Sequence, residues 1–201
     1  MKKSFAYPVI FMALLTAVFT FVLAYLDYST AEKIATLQEI ELQQKILYVF
    51  DIDVPSTNTE DINKVFKENI ETEEIEGKKY FSRLENGEVT GYAIPVGGPG
   101  LWGLIDAYIG VSSDYSKILG IEFISHSETP GLGGRISEEG YKEQFRGIDI
   151  SNINDDNYII YRPAPGGNID AIAGATLTSK SVSKFLNEDL SAFIKEKGGI
   201  R

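Results

Sequence analysis

The chain changes character once, sharply, near residue 27. From Phe5 to Leu26 no side chain carries a charge, whereas from Asp27 onward charged and apolar positions alternate to the C-terminus. At about 1.5 Å of rise per residue, the uncharged run is long enough, as a helix, to cross the roughly 30 Å hydrocarbon layer of a bilayer. Pro8 falls near its start, where a missing N–H is tolerated. A cleaved signal peptide is the competing reading. The run exceeds a signal core in length and Asp27-Tyr28 offers no small-x-small cleavage site, so residues 1–28 are expected to form a retained single-span anchor. Lys2 and Lys3 precede the run, and the positive-inside rule then puts the N-terminus in the cytoplasm and the rest on the periplasmic or extracellular side.

Beyond the anchor, Ile34, Leu37, Ile40, Leu42, Ile46 and Leu47 recur at three- and four-residue spacing among Glu32, Lys33, Glu39, Glu41 and Lys45. This predicts a juxtamembrane helix from Thr30 to Phe50, with an apolar face for a partner or for its own domain. Asp51 to Thr59, with Pro55, reads as a linker, so residues 29–58 are helix and linker and residues 59–201 a domain. Glu60 to Glu71 predicts a short charged helix. The period then shortens to two: Tyr80–Leu84 and Val89–Ile94 flank Asn86-Gly87, a strong hairpin signal. Gly97-Gly98-Pro99-Gly100 reads as a turn or loop, Leu104–Val111 and Ile118–Ser125 as strands, Glu138–Phe145 as a helix and Tyr158–Tyr161 as a further strand. Ser179–Lys195 closes the chain as a helix with Val182, Phe185, Leu186, Leu190 and Phe193 on one face. Short links between consecutive strands favour antiparallel pairing. The expected class is therefore α+β: a single N-terminal transmembrane helix, then an extracytoplasmic domain with an antiparallel sheet flanked by helices.

Composition narrows the chemistry. A hydrophobic fraction of 43% supports a packed core. No cysteine is present and His126 is the only histidine, which excludes disulfides, thiolate or multi-histidine metal sites and cysteine-ligated clusters. Net charge is −10, and without Lys2 and Lys3 the remainder holds 17 basic against 29 acidic residues, a balance that repels nucleic acid.

Three stretches could carry chemistry. His126-Ser127-Glu128-Thr129-Pro130-Gly131-Leu132-Gly133-Gly134 follows a strand, and its glycines expose backbone amides to a ligand, or merely turn the chain. Gly98-Pro99-Gly100-Leu101-Trp102-Gly103 presents the one tryptophan after a glycine turn, as a core or lid residue or as a ring for stacking. Asp170-Ala171-Ile172-Ala173-Gly174-Ala175-Thr176-Leu177-Thr178-Ser179 sets small residues and hydroxyls before a helix, which suits an anion at the helix N-terminus, or a plain cap with Thr178 as the capping residue. Nothing physical in the sequence separates Thr176 from Thr178 as a reactive hydroxyl.

These stretches together resemble the periplasmic FMN-binding domain family, whose members include the C subunit of the Na+-translocating NADH:quinone reductase and the G subunit of the Rnf complex. The chain matches the family's His-x-Glu-Thr-Pro-Gly-Leu-Gly at every specified position, ahead of Gly174-Ala175-Thr176. The resemblance implies one covalent FMN per chain, joined through its phosphate to the hydroxyl of Thr176. It also implies a cofactor site of Gly174, Ala175, Leu177, Thr178, Glu128, Thr129, Gly131, Leu132, Gly133 and Trp102, with Asp170 read by a separate flavin transferase. Glu128 would bond the flavin ring or hold its loop through backbone amides, and His126 would shuttle a proton or anchor the loop. The family places Ser or Thr before Gly-Ala-Thr, where this chain has Ala173. The implied function is that of an electron-transfer subunit of a membrane-bound, Na+- or H+-translocating NADH or ferredoxin oxidoreductase of Rnf or Nqr type, partnered by the other membrane subunits. No nucleophile–base pair is visible, so such a chain is a redox subunit and not a complete enzyme. A membrane-anchored binding or assembly module without a cofactor is the alternative.

Overall fold

The computed structural model describes residues 6–56, 58–151 and 157–197. Lys2 and Lys3, on which the expected orientation rests, lie outside the described residues, as does Thr57 of the expected linker. The chain forms two compact units that divide between Glu41 and Leu42. The first lies within helix α1 (Ala6–Val49), whose apolar half is long enough to cross a membrane and has none of that stretch buried against protein. An exposed surface of Tyr7, Val9, Ile10, Phe11 and Met12, continuing to Leu26, needs a hydrocarbon environment.

The second unit begins with the last turns of α1. Ile46, Leu47, Val49 and Phe50 are fully buried there. Helix α2 (Thr59–Asn69) follows, capped by Asn58, whose side chain accepts from the Glu60 amide, and buries Ile62 and Phe66 one turn apart. Strands β1 (Ile70–Ile75), β2 (Lys78–Glu85), β3 (Glu88–Pro99), β4 (Leu104–Ser112) and β5 (Ile118–Ser125) pair with their sequence neighbours into one antiparallel sheet. Helix α3 (Glu139–Lys142) and helix α4 (Thr176–Lys197) complete the unit.

Each face of the sheet has a distinct cover. Ile94, Val96, Ile105, Ala107, Ile109 and Val111 join Val182, Phe185, Leu186, Leu190 and Phe193 of α4 in the main core. The opposite face carries glycines where α1 ends. A Cβ on Gly110 would meet the Val49 side chain at 2.6 Å, and one on Gly120 would meet the Val49 carbonyl oxygen at 2.6 Å. Carbonyls at and just past the α1 C-terminus accept from two guanidinium groups. Arg83 donates to Phe50 O at 2.9 Å, and Arg146 to Val49 O at 3.3 Å and to Tyr48 O at 3.1 Å. Positive charge at a helix C-terminus satisfies those carbonyls and opposes the helix dipole. Beside them, Lys142 pairs with the buried Glu122 at 2.5 Å and lies 4.2 Å above the Tyr48 ring, whose hydroxyl donates to Glu143 at 2.6 Å.

The α+β class, the hairpin and the antiparallel sheet are as expected; Asn86 and Gly87 both take positive φ, as the turn requires. Four local expectations are corrected. The sheet starts one strand earlier, with the glutamate-rich β1 where a helix was expected to run to Glu71; β1 joins β2 through Glu76-Gly77, both at positive φ. Gly97, Gly98 and Pro99 are strand and not loop, paired with Asp106, Ile105 and Leu104, because Phe185 packs against Gly98 where a Cβ would stand 2.8 Å away. Glu138–Phe145 is one α-helical turn followed by a 3-10 turn. Among the described residues Tyr158–Tyr161 makes a single bridge, Tyr161 to Ile169; side-chain amides of Asn187 and Asn168 bond the backbone of Ile159 and of Tyr158 and Ile160, in place of a neighbouring strand.

Candidate functional site

The three glycine-bearing stretches meet at one carboxylate. Glu128 leaves the end of β5 and is 5% exposed. Its Oε1 accepts from the backbone amides of Leu101 at 2.8 Å and Trp102 at 3.0 Å, and its Oε2 accepts from the Thr178 hydroxyl at 2.5 Å. Glu128 therefore bonds to both of the other stretches, through the Leu101 and Trp102 amides and the Thr178 hydroxyl. His126 anchors the same segment: Nδ1 accepts from the Glu128 amide at 3.3 Å, which leaves the proton on Nε2, 2.9 Å from the Ser137 hydroxyl. The Thr129 carbonyl accepts from Leu132 and Gly134, closing a tight turn in which Gly131 takes a φ of 74°.

Gly133 and Gly174 are glycines for reasons of approach. A Cβ on Gly133 would stand 2.5 Å from the Thr178 hydroxyl oxygen, and Gly174, at a φ of 79°, lies against Leu132. The Ala175 amide donates to Ile172 O, the Ile172 amide to the Ser179 hydroxyl, and α4 then begins at Thr176, three residues before the expected Ser179. The first bond into the helix is Ser179 N to Ala175 O, so the amides of Thr176, Leu177 and Thr178 have no carbonyl four residues back within it. Thr178 is accordingly not the cap. It sits inside the first turn, 1% exposed, with its hydroxyl proton given to Glu128. Thr176 is exposed. Asp170 is exposed as well; its amide donates to Gln144 at 2.7 Å and its carboxylate pairs with Arg162 at 3.0 Å.

Around this knot the apolar side chains face outward. Trp102 is 67% exposed, Leu177 59% and Leu132 45%, with Leu101 and Leu104 beside Trp102 also exposed. Trp102 is thus not a core residue, and among the described residues it packs on no protein ring. Gly100 and Leu101, in the Gly98–Gly103 stretch marked from sequence but not among the residues expected to hold the cofactor, also meet this carboxylate: the Leu101 amide donates to it, and a Cβ on Gly100 would stand 2.6 Å from Glu128 Oε1. A groove of about 620 Å³ opens elsewhere, lined by Leu42, Lys79, Val96, Leu104, Tyr108 and Asp189 among others. Neither Glu128 nor Thr178 lines it, so the converging loops, and not this groove, are the candidate site.

Burial pushes the Glu128 carboxyl up, but the hydrogen bonds from Thr178, Trp102 and Leu101 hold it below the usual glutamate range. A depressed folded value means that the contribution of Glu128 to stability is complete above the ordinary range and is lost as pH falls through the folded value. Emission from Trp102, the only tryptophan, should therefore change in a step below the ordinary glutamate range in the wild-type protein, and the step should be absent in Glu128→Gln.

Residues 100–191 match the FMN-binding domain family. The chain is 32% identical over 120 residues to the G subunit of the ion-translocating oxidoreductase complex of Methanosarcina acetivorans, covering 59% of this chain and 60% of that protein. It is 35% identical over 103 residues to the C subunit of the Na+-translocating NADH-quinone reductase of Vibrio anguillarum, covering 47% and 39%. It therefore spans less than two thirds of either relative. The crystal structure of the C subunit of the Na+-translocating NADH-quinone reductase from Parabacteroides distasonis superposes with a TM-score of 0.67 at 26% identity, covering 80% of this chain and 93% of that one. Residues 100–191 thus match the FMN-binding domain family, in a chain that resembles the G and C subunits of ion-translocating oxidoreductases.

Proposed function

We propose that this chain is an electron-transfer subunit that carries one FMN, esterified through its phosphate to Thr176, in a membrane-bound Na+- or H+-translocating NADH or ferredoxin oxidoreductase of Rnf or Nqr type. The observation that carries the assignment is the contrast at the start of α4: an exposed Thr176 beside a buried Thr178 whose hydroxyl is already committed to Glu128. The residues suit FMN. Three helical amides without internal carbonyls and the dipole of a long helix favour a phosphate. Gly174 and Ala175 add little bulk next to it, and Trp102, Leu132 and Leu177 offer apolar surface to a planar ring. When bound, FMN supplies one- and two-electron chemistry, while the protein sets its position and its access to solvent.

In this reading Asp170, displayed on the Arg162 pair, is presented to a flavin transferase during maturation. The apolar half of α1 anchors the chain in the cytoplasmic membrane, with the N-terminus inside and residues 59–201 outside, where a tether keeps FMN from being lost. The other membrane subunits of the complex deliver and take the electrons. The test is coexpression of the full chain with a flavin transferase. A band fluorescent under ultraviolet light after denaturing electrophoresis is expected; a colourless native protein removes the proposal.

A further inference from the structure

We propose that Glu128 is the positioning residue of the FMN site: its single carboxylate holds three separate loops in register around Thr176 and withholds the Thr178 hydroxyl from attachment. This deepens the reading above, because it takes attachment at Thr176 as the state being positioned.

Every polar partner of this carboxylate is local to the site. Among the described residues no lysine or arginine pairs with Glu128, yet it is buried. A buried charge without an ion pair must be compensated by hydrogen bonds, and bonds to a charged acceptor are the strong ones. Here the Leu101 and Trp102 amides and the Thr178 hydroxyl supply them. The two glycines that flank the carboxylate fit the same role. A Cβ on Gly100 would stand 2.6 Å from Oε1, and one on Gly133 would stand 2.7 Å from Oε2. Those glycines, which in sequence suggest close approach to a ligand, make room for the Glu128 side chain instead. Among the described residues no backbone hydrogen bond joins the Trp102 loop to the start of α4, so removing the carboxylate unlinks the two.

The chemistry predicts a graded response. Glutamine keeps one oxygen for the two amides but turns an NH2 group toward Thr178, whereas alanine loses all three bonds. Valine at 178 removes only the bond to α4, and serine at 178 preserves it. The experiment uses the detergent-solubilised full chain, prepared with and without coexpressed transferase. Three quantities are read: hydrogen exchange at the Leu101 and Trp102 amides, the initial rate of FMN incorporation at Thr176 by peptide mass spectrometry, and the unfolding midpoint.

Loss of a hydrogen bond or more should speed exchange at Leu101 and Trp102 by about tenfold in Glu128→Ala, with little change in Glu128→Gln or Thr178→Val. Incorporation should fall by about tenfold in Glu128→Ala and severalfold in Thr178→Val, and stay at the wild-type rate in Thr178→Ser. Unchanged exchange and incorporation in Glu128→Ala overturn the proposal. Should Glu128→Ala not fold, equal incorporation rates in Thr178→Val and Thr178→Ser overturn it. Wild-type protein without FMN, but with the expected exchange pattern in the unflavinylated chain, defeats attachment at Thr176 while upholding the positioning role of Glu128. Wild-type protein flavinylated at Thr176, with exchange insensitive to Glu128→Ala, does the reverse.

Discussion

Thr176→Val is expected to abolish covalent flavin, while Thr178→Val retains a fluorescent band in the denaturing gel. The two residues are alike in chemistry and two positions apart, so the difference must come from their surroundings. Thr176 is the first residue of α4 and exposed, and its side chain has no described partner to surrender. Thr178 is buried beneath it, and esterification there would first have to break a hydrogen bond to a carboxylate, at a cost of about 1.5–3 kcal/mol, and then expel the hydroxyl from the core. Valine matches threonine in shape, so Thr176→Val should fold with an unchanged melting temperature and differ only in its flavin. Fluorescence that persists in Thr176→Val and vanishes in Thr178→Val would show that the acceptor has been misassigned.

The largest loss of stability is expected from Lys142→Met. Lys142 and Glu122 form an ion pair whose side chains are 12% and 9% exposed. Desolvating two charges leaves little net gain from the pair itself, but taking away one partner strands the other in the interior, which typically costs about 3–5 kcal/mol. Methionine preserves most of the side-chain volume, so packing changes contribute little. Loss of the ammonium over the Tyr48 ring adds to the effect. A large drop in the unfolding midpoint, followed by near-complete recovery in the double variant Glu122→Leu/Lys142→Met, is the expected pattern. If the single and double variants are equally destabilised, the buried charge is not the cause.

Much of the architecture was legible because local chemistry and final fold agree. Asn86-Gly87 admits the positive φ angles of a tight hairpin, and the apolar stripe from Val182 to Phe193 could face only a core. Elsewhere a partner distant in sequence overrides local preference. Glu71, Glu73 and Glu74 suit a helix in isolation, but pairing with β2 makes β1 an exposed, charged edge of the sheet. Gly97-Gly98-Pro99 has the composition of a turn and is held as strand by β4 on one side and Phe185 below. Tyr158–Tyr161 has a strand's composition and lacks a strand to pair with, because two asparagine side chains occupy its backbone. The site was legible as motifs but not as an assembly. Glu128 and Thr178 stand fifty residues apart, and only their contact distinguishes the two threonines.

The docking of the α1 terminus also decides where the soluble part of this protein can be cut. A truncation beginning at the domain boundary expected from sequence, residue 59, would discard Ile46, Leu47, Val49 and Phe50 and leave their places in the interior vacant. It would also remove the Tyr48, Val49 and Phe50 carbonyls to which Arg83 and Arg146 donate. A secretable form for crystallography or electrochemistry should therefore start at or before Leu42, retaining the final two turns of the anchor helix as an integral piece of the fold.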